Sequence, residues 1–299
     1  MTIEVMNNAC TQLVDADVVV RRVATGFVFT EGPVWIEEGK YLLFSDLRGG
    51  VRARWSAEQG CQIVCRHTHK ANGMTRHHDG YLVVCEPASS RVVRMSLDGS
   101  GFDRHEVASH YGNKELNSPS DCVVKSDGSI WFTDPTAGRR NDISGIRREP
   151  ELDFKGLYRL REPGKPELVA DDFDLCNGLC FSPDESRLYV ADTTRCHIVV
   201  FNLDAAGNVV NRGIFASGIG TFDISEGYVD GLRCDQHGNV WVTGPRGIWI
   251  FDPDGTHLGV IPVPEVTTNL TWAGPGSRTV FVTATHGLYR FEALVSGAR

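Results

Sequence analysis

Six times along the chain a polar residue opens a short apolar run and stands eight residues ahead of a turn. Glu31, Asn72, Ser120, Asn177, Asp230 and Asn269 hold that offset from Gly39, Gly80, Gly128, Glu185, Gly238 and Ser277. Successive polar residues lie 41, 48, 57, 53 and 39 positions apart, so a fixed internal unit is joined by outer loops of varying length. Periods in this range, with several strands in each, are the mark of propeller blades. The runs after the turns are β-like: Lys40-Tyr41-Leu42-Leu43-Phe44, Tyr81-Leu82-Val83-Val84, Ser129-Ile130-Trp131-Phe132, Arg187-Leu188-Tyr189-Val190, Asn239-Val240-Trp241-Val242 and Thr279-Val280-Phe281-Val282. Hairpin-closing clusters such as His78-Asp79-Gly80 and Ser126-Asp127-Gly128 precede them. Third-strand runs follow, for example Arg91–Met95 and His197–Phe201, while helical periodicity is nearly absent. The fold class expected is all-β, a six-bladed β-propeller. The valine-rich stretch 17–23 is expected to complete the last blade and close the ring between the termini. Two packed sheets are the alternative architecture.

In a propeller the innermost strand of each blade lines a central channel. The six polar residues are then expected to converge at one depth, as two carboxylates, three amides and a hydroxyl. That oxygen-only set suits a hard divalent cation such as calcium, whereas zinc more often draws on imidazole or thiolate. A channel merely lined by wet polar groups is the plainer reading of the same residues.

Composition narrows the class. A chain of 299 residues with 41% hydrophobic and 23% charged residues has the make-up of a globular protein. The net charge of −8 and the lack of a basic stripe argue against a nucleic-acid partner. No apolar run approaches the ~18 residues of a membrane span. Met1–Val20 contains Glu4, Asp15 and Asp17 and no basic start before an apolar block, so no signal peptide and a cytoplasmic location are expected. The nine cysteines complete no zinc pattern and are expected to be reduced, mostly buried thiols. One propeller domain is expected over 1–299, with 1–16 as an N-terminal extension. The break at 135–156, which carries Arg139, Arg140, Arg147 and Arg148, is read as a lid loop over the channel mouth.

Glu31-Gly32-Pro33-x-Trp35, Leu116-Asn117-Ser118-Pro119-Ser120-Asp121, Asn177-Gly178-Leu179 with Phe181-Ser182-Pro183-Asp184, and Asp230-Gly231 together resemble the gluconolactonase and senescence-marker-protein (regucalcin) family. The resemblance runs from about residue 20 to 292. It implies a six-bladed propeller with one divalent cation in the channel, hydrolysing lactones, and places the family's metal ligands on Glu31, Asn177 and Asp230. Calcium is the first choice of ion; zinc, magnesium and manganese are also compatible with such ligands. Two departures stand out. Family members commonly carry Asn-Asp where this chain has Ser120-Asp121, and Pro87 stands where related bacterial sequences often have a histidine.

The chemistry expected is metal-assisted ester hydrolysis of a small lactone, with Asp230 or Asp121 accepting the proton of the attacking water. Ser120, Asn117, Asn72, Arg76 and Asn269 are the candidate substrate contacts. No Gly-x-Ser-x-Gly elbow occurs, which disfavours a serine nucleophile. A phosphotriesterase-like hydrolase on the same site and a non-enzymatic metal- or partner-binding propeller are the competing readings.

Overall fold

The computed structural model describes residues 2–221, 223 and 225–298. The described residues form six antiparallel blades arranged as a six-bladed β-propeller, with one further two-stranded ribbon that pairs His110–Tyr111 with Lys114–Glu115. Blade 1 is built from Thr30–Ile36, Tyr41–Asp46, Val51–Ser56 and Gly60–Arg66. Blade 2 runs from Met74–Arg76 to His105–Ala108, blade 3 from Cys122–Val124 to Pro166–Ala170, and blade 4 from Cys176–Phe181 to Val209–Ser217. Blade 5 spans Leu232–Cys234 to His257–Pro262. Blade 6 comprises Thr267–Ala273, Thr279–Ala284 and Gly287–Glu292, closed by Arg21–Thr25.

The second strands read as nearly unbroken apolar runs because both faces of each blade are covered by a neighbour. In blade 3, Ile130 and Phe132 pack against Val83, Cys85 and Val92 of blade 2. Trp131, between them, points the other way onto Leu179, Leu188 and Val190 of blade 4. This is the two-residue alternation of a strand, with core on both sides. Six such apolar layers, one at each blade junction, hold the ring.

Ring closure follows the expected scheme with a shifted strand. Arg21–Thr25 pairs with Gly287–Glu292, rather than the valine-rich 17–23. The reason is packing: Val18 and Val20 are drawn onto the apolar layer between blades 5 and 6, which takes that stretch out of the ladder. Residues before them pack as well. Glu4–Val5 adds a fifth strand to blade 5, with Glu4 opposite Val260, and a 3-10 turn at Asn8–Gln12 brings Cys10 into the same layer. All nine cysteines are free thiols. Among the described residues no helix is long and apolar enough to cross a membrane.

Candidate functional site

Four of the six channel positions are followed by glycine: Gly32, Gly73, Gly178 and Gly231. The inner strands meet so closely at the axis that a side chain there has no room. A Cβ on Gly178 would come within 2.3 Å of the Asp230 carbonyl oxygen, and one on Gly231 within 2.2 Å of the Asn269 side chain. The ladder is also broken at these points, with register shifts spanning Glu31–Val34, Cys176–Leu179 and Thr267–Asn269. Bulges of this kind re-aim side chains, and here they turn successive polar groups toward the axis.

Glu31, Asn72, Ser120, Asn177 and Asp230 line one cavity of about 280 Å³. The Asn72 amide donates to Ser120 Oγ (3.0 Å), Ser120 Oγ donates to Asn177 Oδ1 (2.9 Å), and Asn177 Nδ2 donates to Thr193 Oγ1 (3.1 Å). On the opposite side the Glu31 carboxylate accepts from its neighbour's backbone at Gly32 N (2.7 Å) and from Asn269 Nδ2 (3.0 Å). Backbone groups fix these positions from behind: Asp230 N donates to Thr243 Oγ1 (2.9 Å), and Thr133 Oγ1 donates to the Asn177 carbonyl (2.7 Å).

The electrostatics are those of acids forced together. Burial, and then the nearby Asp121 charge, push the Glu31 carboxyl up to about 7. Burial, followed by the charges of Glu31 and Asp121, raises Asp230 well above the usual carboxylate range. Both side chains are about 95% buried, so without a cation between them ionisation of the pair is disfavoured.

The remaining expected site residues lie elsewhere. Asp121 does not line the cavity. Its carboxylate accepts from Cys122 N (2.9 Å) and Asn269 Nδ2 (3.3 Å) and faces Arg233 Nη1 at 3.8 Å, so it belongs to a layer beneath the cavity and is not placed to act on a ligand there. Asn269 belongs to that layer too, its amide tying Glu31 to Asp121. Asn117 is fully buried and structural: its amide nitrogen donates to the carbonyls of Asp134 (3.2 Å) and Phe154 (2.9 Å). Arg76 pairs with Glu38 on the surface (Nη1 to Oε2, 2.9 Å), because it follows the channel residue by four positions and the inner strand has by then left the axis. The 135–156 loop does contribute to the cavity wall, through Pro135, Ala137, Gly138, Asn141 and Ser144. Its Arg139, however, is 3% exposed and bonded to the Asn117 carbonyl (2.8 Å), Ser90 Oγ (3.1 Å) and Glu115 (2.7 Å). Arg148 likewise donates to Ser90 Oγ (2.6 Å). These two arginines fasten the loop and do not point at a ligand.

Phe29, Leu175, Ser118 and Tyr228 also line the cavity. Each stands two residues before a channel polar group, and two residues in extended chain share a face. That alternation could have found them in the sequence. Acidic residues ending the second strands hold three of these approach segments. Asp46 accepts from Phe29 N (2.9 Å), Asp134 from Asn117 N (2.7 Å) and Asp192 from Leu175 N (3.0 Å). Leu47, Arg48, Pro87 and Pro135, just after such residues, complete the rim. Tyr228 is half-buried, and its phenol is raised by burial and by the Asp230 and Glu31 charges, so it stays a hydrogen-bond donor at any ordinary pH.

The donor set fits a hard divalent cation. Every polar atom facing the cavity from these inner strands is an oxygen or an amide. The Asn72 Oδ1 acceptor is buried with no partner among the described residues, and two buried acids repel unless a positive charge sits between them. Among the described residues no three His, Cys, Asp or Glu side chains gather into a metal group; the candidate set is two carboxylates with an amide oxygen.

Comparison with known proteins places the chain. Residues 29–286 match the family described as SMP-30/Gluconolactonase/LRE-like region. The gluconolactonase of Zymomonas mobilis is 30% identical over 310 residues, covering 95% of this chain and 84% of the relative. The structure of a gluconolactonase from Xanthomonas campestris superposes with a TM-score of 0.89 at 31% identity, over 98% of this chain and 95% of that one. A calcium-binding regucalcin from Agrobacterium tumefaciens shares the fold, with a TM-score of 0.75 at 19% identity over 94% and 96% of the two chains.

Proposed function

The chain belongs to the SMP-30/Gluconolactonase/LRE-like family, and on that footing we propose that it is a divalent-cation-dependent hydrolase opening the ester bond of a sugar-type lactone. The observation that carries the reading is the meeting of Glu31, Asn177 and Asp230, from blades 1, 4 and 5, in one cavity. At about 280 Å³ the cavity is at the small end of ligand pockets and suits a monosaccharide-sized molecule.

In this proposal Glu31, Asn177 and Asp230 hold the cation, with calcium the first choice because every donor is an oxygen. A bound divalent ion supplies Lewis-acid polarisation of the lactone carbonyl and stabilises the oxyanion that develops on attack. Ser120 keeps the Asn177 amide turned so that its oxygen faces the cavity, since its Oγ–H occupies one lone pair of that oxygen and leaves the other free. Asp230 is the base: a carboxylate oxygen beside the attacking water accepts its proton as the water oxygen bonds to the carbonyl carbon. The ring C–O bond then breaks, the departing oxygen takes a proton to become a hydroxyl, and the product is an open-chain hydroxy acid. The Tyr228 phenol, neutral at working pH, is the donor on the cavity wall for a ring or hydroxyl oxygen of the substrate.

The experiment is a substrate panel of aldonolactones, an aromatic lactone and a phosphotriester, followed by acid release with a pH indicator. Turnover of aldonolactones above the others is expected. Preference for the phosphotriester would replace the reading with a phosphoesterase, and a folded, cation-loaded protein inert on all of them would replace it with a binding role.

A further inference from the structure

Away from the channel, the crevice between blades 1 and 2 contains a charge that the fold leaves poorly compensated. Arg52, on the third strand of blade 1, is 1% exposed. Its Nε points at Met74 Sδ (3.2 Å) and its Nη1 at Met95 Sδ (3.1 Å) and the Gly99 carbonyl (2.8 Å). Thioether sulfurs are weak acceptors. Among the described residues no carboxylate lies within ion-pair distance of this guanidinium and no acceptor bonds its Nη2. A buried cation without a counter-charge is costly, and nothing in the proposed hydrolysis calls for one here.

Arg52 forms the base of a separate cavity of about 380 Å³, whose walls include Arg66, His67, Thr68, His69 and Arg104. Thr68 is 4% exposed, and its Oγ1 is buried with no partner among the described residues. The one acid in the wall, Glu86, is already engaged: Arg104 Nε lies 2.8 and 3.1 Å from its two oxygens, and Ser89 Oγ donates to it at 2.9 Å. The segment carrying Thr68 is held in an unusual conformation. His67, His69 and Lys70 have φ of 62°, 55° and 58°, left-handed values that side-chain-bearing residues adopt only when the surroundings impose them.

From these features we infer that this crevice is a binding site for a tetrahedral oxyanion of the phosphate or sulfate type. An anion there places its charge against Arg52 and Arg66 and takes the hydrogen bond that the Thr68 hydroxyl lacks. Arg104 stays with Glu86. The charge-assisted bonds available are of the kind that Arg and hydroxyl groups give to phosphate oxygens.

The test uses the full chain and inorganic phosphate, with sulfate as competitor, followed by titration calorimetry at low ionic strength. Saturable binding of one phosphate per chain, displaced by sulfate, is expected. Thr68→Val, which keeps the shape and removes the hydroxyl, is expected to weaken it about tenfold, the worth of one hydrogen bond to a charged group. Arg66→Gln, at an exposed strand end, is expected to weaken it to a similar degree, and it keeps the test intact should the buried variant fold poorly. The double variant Arg140→Gln/Arg147→Gln, on the arginine-lined face of the 135–156 loop, is expected to bind as the wild type does. Three results would overturn the inference: no saturable binding, binding indifferent to both crevice variants, or binding lost only in the loop variant.

Discussion

Replacing Glu31 by glutamine is expected to stabilise the ion-free protein while destroying its response to cations. The glutamine side chain has the shape of the protonated acid and can still accept from Gly32 N and Asn269 Nδ2 through its oxygen. What it removes is the cost of ionising a buried acid beside another. Glu31 titrates at about 7 in the folded, ion-free protein against an ordinary 4.5. A carboxyl with a raised folded value binds a proton in the native state that the unfolded chain has already lost, so its stability contribution falls as pH rises from 4.5 to 7. At pH 8 the full penalty is present, about 3 kcal/mol; at pH 5 it shrinks below about 1 kcal/mol. With an unfolding entropy near 2.1 cal/mol/K per residue, a chain of this size converts about 3 kcal/mol into a Tm difference of about 5 °C. In chelator at pH 8 the variant is therefore expected to melt about 5 °C above the wild type, and at pH 5 nearly with it. A thousandfold excess of calcium over Kd then raises the wild type by about 4 kcal/mol and leaves Glu31→Gln in place, so the order reverses. Differential scanning calorimetry at the two pH values, with and without calcium, reads all four states. A variant less stable than the wild type in chelator at pH 8, or one that calcium stabilises equally, would refute the account of two buried acids awaiting a cation.

Ser120→Ala breaks the Asn72–Ser120–Asn177 bridge and is expected to lower calcium affinity by about tenfold or more, as loss of a ligand-orienting partner does; titration calorimetry measures it. Asp134 is pushed up to about 7 by burial, so wild-type stability is expected to fall between pH 4 and 7 more steeply than that of Asp134→Asn, by roughly 1.4 kcal/mol for each pH unit. Urea titrations across that range compare the two. Arg139→Ala removes a buried guanidinium that donates to the carbonyls of Leu116, Asn117 and Glu149 and to Ser90 Oγ, while Arg148 still holds Glu115, and a loss of about 3 kcal/mol is expected in the same assay. Arg76→Ala removes only an exposed ion pair, and both stability within about 1 kcal/mol and unchanged lactone turnover are expected.

Much of the fold was readable because a propeller repeats its instructions. The eight-residue offset from Glu31, Asn72, Ser120, Asn177, Asp230 and Asn269 to their turns reflects one hairpin geometry used six times, and both-sided burial made the second strands conspicuous. Five of those six residues share the cavity. The sixth, Asn269, lies one layer down because its side chain reaches to Glu31 and Asp121. Reading failed where position depends on what a side chain bonds to. Asp121 follows a channel residue as the glycines do, yet its charge is turned away from the cavity toward Arg233. Asn117 and Arg139 look like ligand contacts in a list of polar residues, but the Asn117 amide is spent on backbone carbonyls, and the Arg139 guanidinium on a carbonyl, Ser90 and Glu115. Arg52 gave no signal at all, since a charged residue in an otherwise ordinary outer strand reads as surface until the packing of Met74 and Met95 is known.

In the proposed reading Glu31, Asn177 and Asp230 hold one cation on which lactone hydrolysis depends. The most direct measurement titrates calcium into chelator-stripped protein while aldonolactone hydrolysis is followed. Activity that rises to a plateau at one equivalent, and is absent from Glu31→Gln and Asp230→Asn at every calcium concentration, is the predicted result. Full activity in the stripped protein, or in either variant, would contradict it.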